Sequence, residues 1–375
     1  MNAVEARLDH IRGAIAAKSH NARTIAALSS NPGCARRAVM DAAGVDKSRL
    51  ASYLGFPAPF GQSQFAIGRG NAFEAQVKAN GCAELLRLLR EHLRLTIPEV
   101  SYDNLDDVGG LTSLDVRHAR TRALVARAAD SGTGAGTLFD HPLLRLQVAG
   151  RPAYLEPDLI AFQLCGRFHV VEIKSFSVID GQADGDKVAA AVIQSAVYVV
   201  ALRDLLAGVG IGPQAVADVV VLVCPEDFSN RPTAALLDVR KQVTVLRRQL
   251  SRLERIESLL DVLPPELTFS LEVDADGVPH RPPRALATAA RSVDARYAPE
   301  CLASCEMCFF CRDEATGRTA ALGREVRDDL GALEAVHTVL GLADGTLLPA
   351  DDQIEAAAML RMAASLRREC TGDAA

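Results

Sequence analysis

The chain has no tryptophan, and only 5% of its 375 residues are aromatic. A broad sheet on which successive nucleic-acid bases stack needs more aromatic side chains than this, so that mode of binding is not expected. No stretch reaches the roughly 20 consecutive apolar residues that a membrane span needs. Residues 1–18 carry charges throughout and have no apolar signal core. These absences predict a cytoplasmic protein that does not contact a membrane.

The chain also lacks an excess of positive charge. It has 41 Lys and Arg against 47 Asp and Glu, so its net charge is −6, and a general polycationic role is excluded. It contains no Walker-type P-loop sequence, so no motor of that kind is expected. With 49% hydrophobic residues, the chain is expected to fold as about two domains or as one large domain with additions.

Apolar runs predict an α/β core. Stretches rich in Val, Ile and Leu predict strands at 144–148, 153–163, 168–176 and 217–224. Helices are predicted at 187–206 and from about 71 to 95, the second with an interruption near Asn80-Gly81. This order predicts one mixed central sheet flanked by helices. The expected segments are a helical N-terminal segment at 1–67, the core at 68–226 with an insertion at about 95–142, and a helical C-terminal region at 227–375.

Two carboxylates and a lysine are predicted to meet on this sheet. Asp158 lies on one predicted strand, and Glu172 and Lys174 lie on the next. Side chains alternate faces along a strand, so Glu172 and Lys174 point the same way, and a tight turn at Gly166 would bring Asp158 beside Glu172. Two adjacent carboxylates repel each other unless a cation lies between them, and Mg²⁺ or Mn²⁺ prefers such oxygen ligands. The pattern favours metal-dependent phosphodiester hydrolysis over a plain exposed Glu–Lys pair.

These residues resemble the signature of a known superfamily. Pro157-Asp158 with Glu172-Ile173-Lys174 is similar to the motif of the PD-(D/E)XK nucleases. The resemblance implies a restriction-endonuclease-like core. It also implies that Asp158, Glu172 and the Ile173 carbonyl bind the metal, and that Lys174 positions the attacking water.

Two helical elements extend the resemblance to the RecB-like branch. Gln194 and Tyr198 have the spacing of its QxxxY motif, and residues four apart share one face of a helix. In that branch this face borders the metal site and orients the substrate strand. The branch also has a Gly-x-x-x-His element before the sheet. Here Gly70 begins the matching stretch and Glu74 stands in place of the histidine, either as a further metal ligand or as a solvent-facing glutamate.

Clustered cysteines indicate a second metal centre. Cys301, Cys305, Cys308 and Cys311 lie within eleven residues. In a reducing compartment this density is typical of a metal or iron–sulfur centre rather than of disulfides. Four local thiolates are also sufficient to hold Zn²⁺, so zinc stays open as the alternative.

The RecB-like resemblance implies a different set of ligands. In AddB-type and CRISPR-associated members, one cysteine before the nuclease core and three after it bind a 4Fe–4S cluster that joins the two ends. Cys34 stands in the upstream position. The favoured set is Cys34, Cys301, Cys305 and Cys311, with Cys308 as the alternate.

One predicted helix concentrates positive charge. The helix at 238–262 has six basic residues and one acid between Arg240 and Arg255. Phosphate contacts would make DNA binding through this helix salt-dependent, and a solvated helix face is the alternative. The residues predicted to contact nucleic acid are Arg240, Lys241, Arg248, Arg252 and Arg255.

The predicted function is that of a Mg²⁺- or Mn²⁺-dependent DNA nuclease. The resemblance implies exonuclease-like action on single-stranded DNA or free ends, in DNA repair, recombination or defence against foreign DNA. It suggests a helicase or another subunit of a nuclease complex as the protein partner. The alternatives are a non-catalytic DNA-binding or scaffold protein with the same fold, and a zinc-binding interaction protein.

Overall fold

The computed structural model describes residues 3–29, 31, 33–58, 64–91, 100–105, 113–130, 136–164, 167–254, 256–331 and 333–371. The chain divides into two compact units. Unit 1 comprises Met1–Ala17, Ser30–Phe60 and Glu257–Ala375, and unit 2 comprises Lys18–Ser29 and Gly61–Ile256. Segments from both ends of the chain therefore share unit 1, whereas the α/β core and the basic helix are both in unit 2.

The strands lie in unit 2. They are β1 (Val100–Asn104), β2 (Gly136–Asp140), β3 (Leu144–Val148), β4 (Arg151–Leu155), β5 (Leu159–Leu164), β6 (Arg167–Ile173), β7 (Val178–Ile179), β8 (Gln182–Ala183), β9 (Val219–Pro225) and β10 (Pro232–Asp238). Six of them form one sheet in the order β1-β2-β5-β6-β9-β10. The β1–β2 and β6–β9 pairs are parallel and the others antiparallel, which confirms a mixed sheet.

Helices flank this sheet in unit 2 and make up the regular structure of unit 1. The α-helices are α1 (Ala3–Arg12), α2 (Ala22–Ala26), α3 (Ala35–Ala43), α4 (Lys47–Tyr53), α5 (Gln64–Glu91), α6 (Leu114–Asp130), α7 (Gly185–Ala207), α8 (Arg240–Glu254), α9 (Ile256–Leu260), α10 (Pro283–Arg291), α11 (Cys301–Ser304), α12 (Cys308–Glu314), α13 (Arg324–Asp329), α14 (Val336–Asp344) and α15 (Ile354–Thr371). Short 3-10 helices cover Ala27–Ser29, Pro213–Ala215, Thr319–Leu322 and Asp351–Gln353.

Helices α5 and α7 cover opposite faces of the sheet. Val171 and Ile173 of β6 pack in one apolar cluster with residues of α5. On the other face, Leu222 of β9 packs with Ala191 of α7. Because side chains alternate along a strand, Glu172 projects to the α7 side. The predicted interruption of α5 is confirmed, since Ala79–Cys82 have non-helical backbone angles.

The predicted single strand at 153–163 is wrong. Strand β4 ends at Leu155 and pairs with β3 in a separate ribbon, whereas β5 begins at Leu159 in the main sheet. Pro157 lies between them, and proline has no N–H to donate to a strand ladder. The break leaves Asp158 immediately before β5.

Helix α7 is long and apolar enough, by length and composition alone, to cross a membrane. In this fold 56% of its most apolar window is buried inside the protein, and it contributes buried residues such as Val197 and Leu202 to unit 2. This burial is that of a core helix. Long apolar core helices pass the same test of length and composition as membrane spans.

Candidate active site and cysteine cluster

The pairing of β5 with β6 determines where the two predicted carboxylates lie relative to each other. Leu159 is directly opposite Val171 in this antiparallel pair. One position further along the two chains, Asp158 therefore lies opposite Glu172. The Ile173 N–H donates a 2.6 Å hydrogen bond to Asp158 Oδ2. The turn predicted at Gly166 is outside the described residues, but the register that it was meant to produce is present.

Glu172 is a charged group in an apolar position. Its side chain is 1% exposed, and among the described residues no group other than Lys174 donates to its carboxylate oxygens. Lys174 Nζ forms an ion pair with Glu172 Oε1. Burial raises the pKa of Glu172 to about 8, and the adjacent charge of Asp158 adds to the rise. Lys174 is thus shared between two carboxylates, those of Glu172 and Asp158.

Asp158 and Lys174 complete the predicted group. Burial raises the pKa of Asp158, while the charge of Lys174 opposes that rise. For Lys174, burial lowers the pKa, but the carboxylates of Glu172 and Asp158 outweigh burial and the net shift is upward. Lys174 therefore remains an ammonium group at neutral pH. The structure brings all three residues together.

Helix α7, which follows β6 and the β7–β8 ribbon, carries the predicted polar pair. Gln194 Nε2 donates a 3.0 Å hydrogen bond to the Tyr198 hydroxyl, so the two residues share one face of α7. Tyr198 is buried, and burial followed by the charge of Glu172 raises the pKa of its hydroxyl well above 10. Tyr198 is thus a neutral hydroxyl within electrostatic range of the carboxylates.

Glu74 is held by residues that sequence reasoning missed. Lys78 Nζ lies 2.5 Å from Glu74 Oε1 and 2.6 Å from Asp140 Oδ1. His141 bridges the same two carboxylates, with Nε2 3.4 Å from Glu74 and Nδ1 2.9 Å from Asp140. The Tyr102 hydroxyl donates a hydrogen bond to Asp140 Oδ2. We call Glu74, Lys78, Asp140 and His141 the charged bridge.

The charged bridge adjoins the predicted metal ligands. The His141 N–H donates to the Asp158 carbonyl at 3.3 Å, and the charge of Glu74 raises the pKa values of both Asp158 and Glu172. Hydrogen bonds to Asp140 and Glu74 raise the pKa of His141 to about 10. Burial would raise the pKa of Asp140, but its hydrogen bonds, first that from His141, lower it to about 2. The bridge therefore holds two cations and two anions at pH 7.

Two local features of the sequence indicate parts of the charged bridge. Glu74 and Lys78 are four residues apart on a helix, which favours an ion pair. Asp140 and His141 follow Leu138 and Phe139, a short apolar run at the end of β2. The first strand was predicted only from residue 144, and residues 95–142 were treated as an insertion, so β2 and the acid at its end were missed.

The cysteines gather in unit 1. Cys301, Cys305, Cys308 and Cys311 are buried, and Cys34, which precedes α3, interacts electrostatically with Cys301 and Cys311. Two sulfurs also accept hydrogen bonds. Asn31 Nδ2 is 3.1 Å from Cys301 Sγ, and Arg36 Nη1 is 3.2 Å from Cys311 Sγ.

Three buried cations surround these thiols. Arg36 pairs with Glu314 at 2.6 Å, Arg37 pairs with Asp41 at 3.3 Å, and Lys47 pairs with Asp41 and Glu306. Burial raises the pKa of Cys305 to about 11 and that of Cys311 to about 12. The nearby cations oppose this rise: Lys47 and Arg37 act on Cys305, and Arg36 acts on Cys311.

The predicted basic helix is α8, and its apolar stripe is buried. Leu246, Leu250 and Leu253 face the interior, whereas Arg240, Lys241, Arg247, Arg248 and Arg252 are exposed. Arg240 donates hydrogen bonds to both oxygens of Asp238, which offsets much of its charge. Arg255 is outside the described residues.

Among the residues that the structure describes, no group of three or more His, Cys, Asp or Glu side chains is arranged so as to hold a metal ion. No family model and no curated protein matches the chain. A solved structure, that of SSO0001, is similar with 12% identity and a TM-score of 0.25, over 71% of this chain and 95% of its own.

Removal of the bridging ammonium should destabilise unit 2. Lys78→Met leaves the buried Asp140 with less positive charge, and we expect a loss of about 3 kcal/mol in the free energy of unfolding in urea. The matched control is Arg87→Met, which breaks the more exposed pair with Glu84 and should cost less than about 1 kcal/mol. Equal losses for the two variants would contradict the buried bridge.

His141 should make stability depend on pH in a defined window. Its pKa is raised from 6.5 to about 10 in the fold, so its stabilising contribution is complete below about pH 6.5 and is lost as the pH rises towards 10. In metal-free buffer, the stability difference between the parent and His141→Gln should shrink over that range.

His169→Gln provides a control of opposite sign. Burial lowers the pKa of His169, so its contribution is lost only as the pH falls below its ordinary value. The difference between this variant and the parent should stay flat from pH 7 to 10. A flat profile for His141→Gln as well would disprove the raised pKa.

Proposed function

We propose that the chain is a divalent-metal-dependent DNA nuclease with a restriction-endonuclease-like core in unit 2. The observation that carries this proposal is the buried Glu172 carboxylate beside Asp158 and Lys174. A buried carboxylate without hydrogen-bond donors costs several kcal/mol unless a cation compensates it. One lysine serves two adjacent carboxylates, so ionisation of both would leave net negative charge, which a divalent cation would offset.

The donor set fits Mg²⁺ or Mn²⁺. Asp158 and Glu172 would hold the ion with the Ile173 carbonyl, because hard divalent cations prefer carboxylate and carbonyl oxygens. Glu74 would support it as a further ligand if it left the charged bridge. When bound, the ion supplies a Lewis acid that activates water and offsets charge on the phosphate.

The remaining residues position the reactants. Lys174 keeps its proton, so its ammonium group holds the attacking water or a phosphate oxygen. Gln194 and the neutral Tyr198 hydroxyl orient the substrate strand from α7. Lys241, Arg248 and Arg252 add phosphate contacts from α8. The proposed substrate is single-stranded DNA or a free end, in repair, recombination or defence, together with a helicase or other nuclease subunit.

Unit 1 is proposed to hold a 4Fe–4S cluster through Cys34, Cys301, Cys305 and Cys311. Iron–sulfur clusters are held by thiolates, and burial raises the pKa of Cys301, Cys305 and Cys311, which favours their protonated thiols. Arg36, Arg37 and Lys47 supply the positive charge that favours thiolates in the interior. Because Cys34 lies in the segment Ser30–Phe60 and the other three cysteines lie in Glu257–Ala375, ligation would tie two of the three chain segments of unit 1 together. Cys308 stays as the alternate ligand and zinc as the alternate metal.

Replacement of the three central residues should abolish cleavage. Asp158→Asn and Glu172→Gln each remove a metal ligand, and Lys174→Ala removes the positioned ammonium. Each should lower Mn²⁺-dependent cleavage of labelled single-stranded DNA by about 100-fold or more. Glu84→Gln, in an exposed ion pair on α5, is the matched control and should cut at the parent rate. Parent-like cleavage by all three variants would refute the assignment.

Unfolding measurements separate loss of metal from loss of fold. At pH 9 without metal, Glu172→Gln should be at least as stable as the parent, because ionising the buried Glu172 costs free energy above its raised pKa. Mn²⁺ should raise the melting temperature of the parent but not that of Glu172→Gln.

The composition of the cysteine centre is testable by elemental analysis. Protein purified without oxygen should be brown, with iron and sulfide in similar amounts. Cys34→Ser should lose iron and soluble yield, because ligation contributes to folding. Cys370→Ser replaces an exposed thiol and should leave the iron content unchanged. Stoichiometric zinc without iron, unaffected by Cys34→Ser, would defeat the proposed ligand set.

A further inference from the structure

A second candidate site in unit 2 is a cleft formed by α6, β3, α7 and α8. Its volume is about 440 Å³, within the range of pockets for small ligands. A neighbouring hollow of about 430 Å³ shares three of its lining residues, namely His118, Arg122 and Arg145. We call the larger hollow the arginine cleft.

Three guanidinium groups line the arginine cleft, and their charge is only loosely matched. Arg247 is 3.9 Å from Asp204, and Arg145 is 3.8 Å from Asp115, both beyond hydrogen-bond distance. Arg122 donates at 2.8 Å to the Gly208 carbonyl, and no carboxylate among the described residues pairs with it. Two acids therefore face three arginines, in a protein whose net charge is −6.

The arginines come from three separate elements and converge. Arg122 lies on α6, Arg145 on β3 and Arg247 on α8. His118 lies close enough to two of these arginines to feel their charge. Burial lowers the pKa of His118, and the charges of Arg145 and Arg122 lower it further. Its Nδ1 is 2.9 Å from the Leu143 carbonyl and so carries the proton. The neutral ring keeps a lone pair on Nε2, which is able to accept a hydrogen bond.

Much of the remaining lining is apolar, beside the polar Gln147 and Ser251. Leu146, Val200, Leu205 and Leu250 contribute to the cleft. The guanidinium fork matches the oxygens of phosphate and carboxylate groups, and an apolar floor suits the face of a base or sugar, which a phosphate-bearing nucleotide has. This combination corresponds to a nucleotide unit rather than to a simple inorganic ion.

We infer that the arginine cleft binds the phosphate of a nucleotide unit, and that its natural source is the DNA strand. The choice of DNA as the source of the phosphate rests on the proposed function, whereas the preference of the cleft for a phosphate-bearing ligand does not. Helix α7 links the two sites: Tyr198 and Asp204 are six residues apart, or roughly 9 Å along the axis. A strand held in the cleft would thus be anchored close to the candidate active site.

The test measures binding without catalysis. The probes are a fluorescein-labelled oligothymidylate and thymidine 5′-monophosphate, in EDTA, so a failure of the nuclease chemistry does not affect the result. In a plot of log affinity against log salt concentration, each phosphate contact to single-stranded DNA contributes a slope of magnitude about 0.7. One such contact therefore changes the affinity about fivefold between 0.1 and 1 M salt. For Arg122→Ala/Arg145→Ala we expect affinity at 0.1 M salt to fall about 25-fold and the slope to fall by about 1.4.

Control variants distinguish a site from diffuse attraction. Arg145→Lys should retain the salt slope of the parent. Arg87→Ala, on α5 outside the cleft and paired with Glu84, should bind DNA as the parent does. If thymidine 5′-monophosphate displaces the oligothymidylate, the cleft binds the end of a strand. If it does not, the cleft binds phosphates within a strand. Equal weakening by Arg87→Ala, or unchanged slope and affinity in the double variant, would overturn the inference.

Discussion

The burial of one carboxylate, that of Glu172, is the constraint on which the candidate active site depends. Strand β6 is covered on both faces, so a charged residue within it has no access to water. Lys174 pairs with it, and Asp158 lies at the same level because Pro157 ends one strand and allows the next to begin at Leu159. The result is a concentration of negative charge at a fixed point of a rigid sheet. Such an arrangement destabilises the empty fold and favours a bound cation.

Each unit balances buried charge in its own way. In unit 2 the charged bridge surrounds Asp140 with Lys78 and His141, so that two cations and two anions compensate each other. In unit 1 the cations Arg36, Arg37 and Lys47 lie against buried thiols as well as carboxylates. These networks differ from the pair at Glu172, where the negative charge is in excess. The difference explains why the proposed metal chemistry belongs at Glu172 rather than at the bridge.

Regular elements were predictable where local signals were strong. Helix α7 and strand β9 follow from long aliphatic runs, and the break in α5 follows from Asn80-Gly81, which favours a left-handed backbone. Strand β2 was missed because its five residues stand beside a glycine-rich stretch that resembles a linker. The single strand at 153–163 failed because the apolar pattern continues across Pro157, although the hydrogen-bond ladder does not.

The sequence by itself determined the chemistry that is available: two carboxylates and a lysine at fixed spacing, a polar pair on one helical face, and a cluster of thiols. These are local properties, set by the alternation of a strand and the period of a helix. Only the tertiary structure decided which distant residues meet. His141 reaches Glu74, Arg36 reaches Cys311, and arginines from three elements line one cleft. Contacts between residues far apart in sequence depend on how elements pack, and no local pattern encodes that packing.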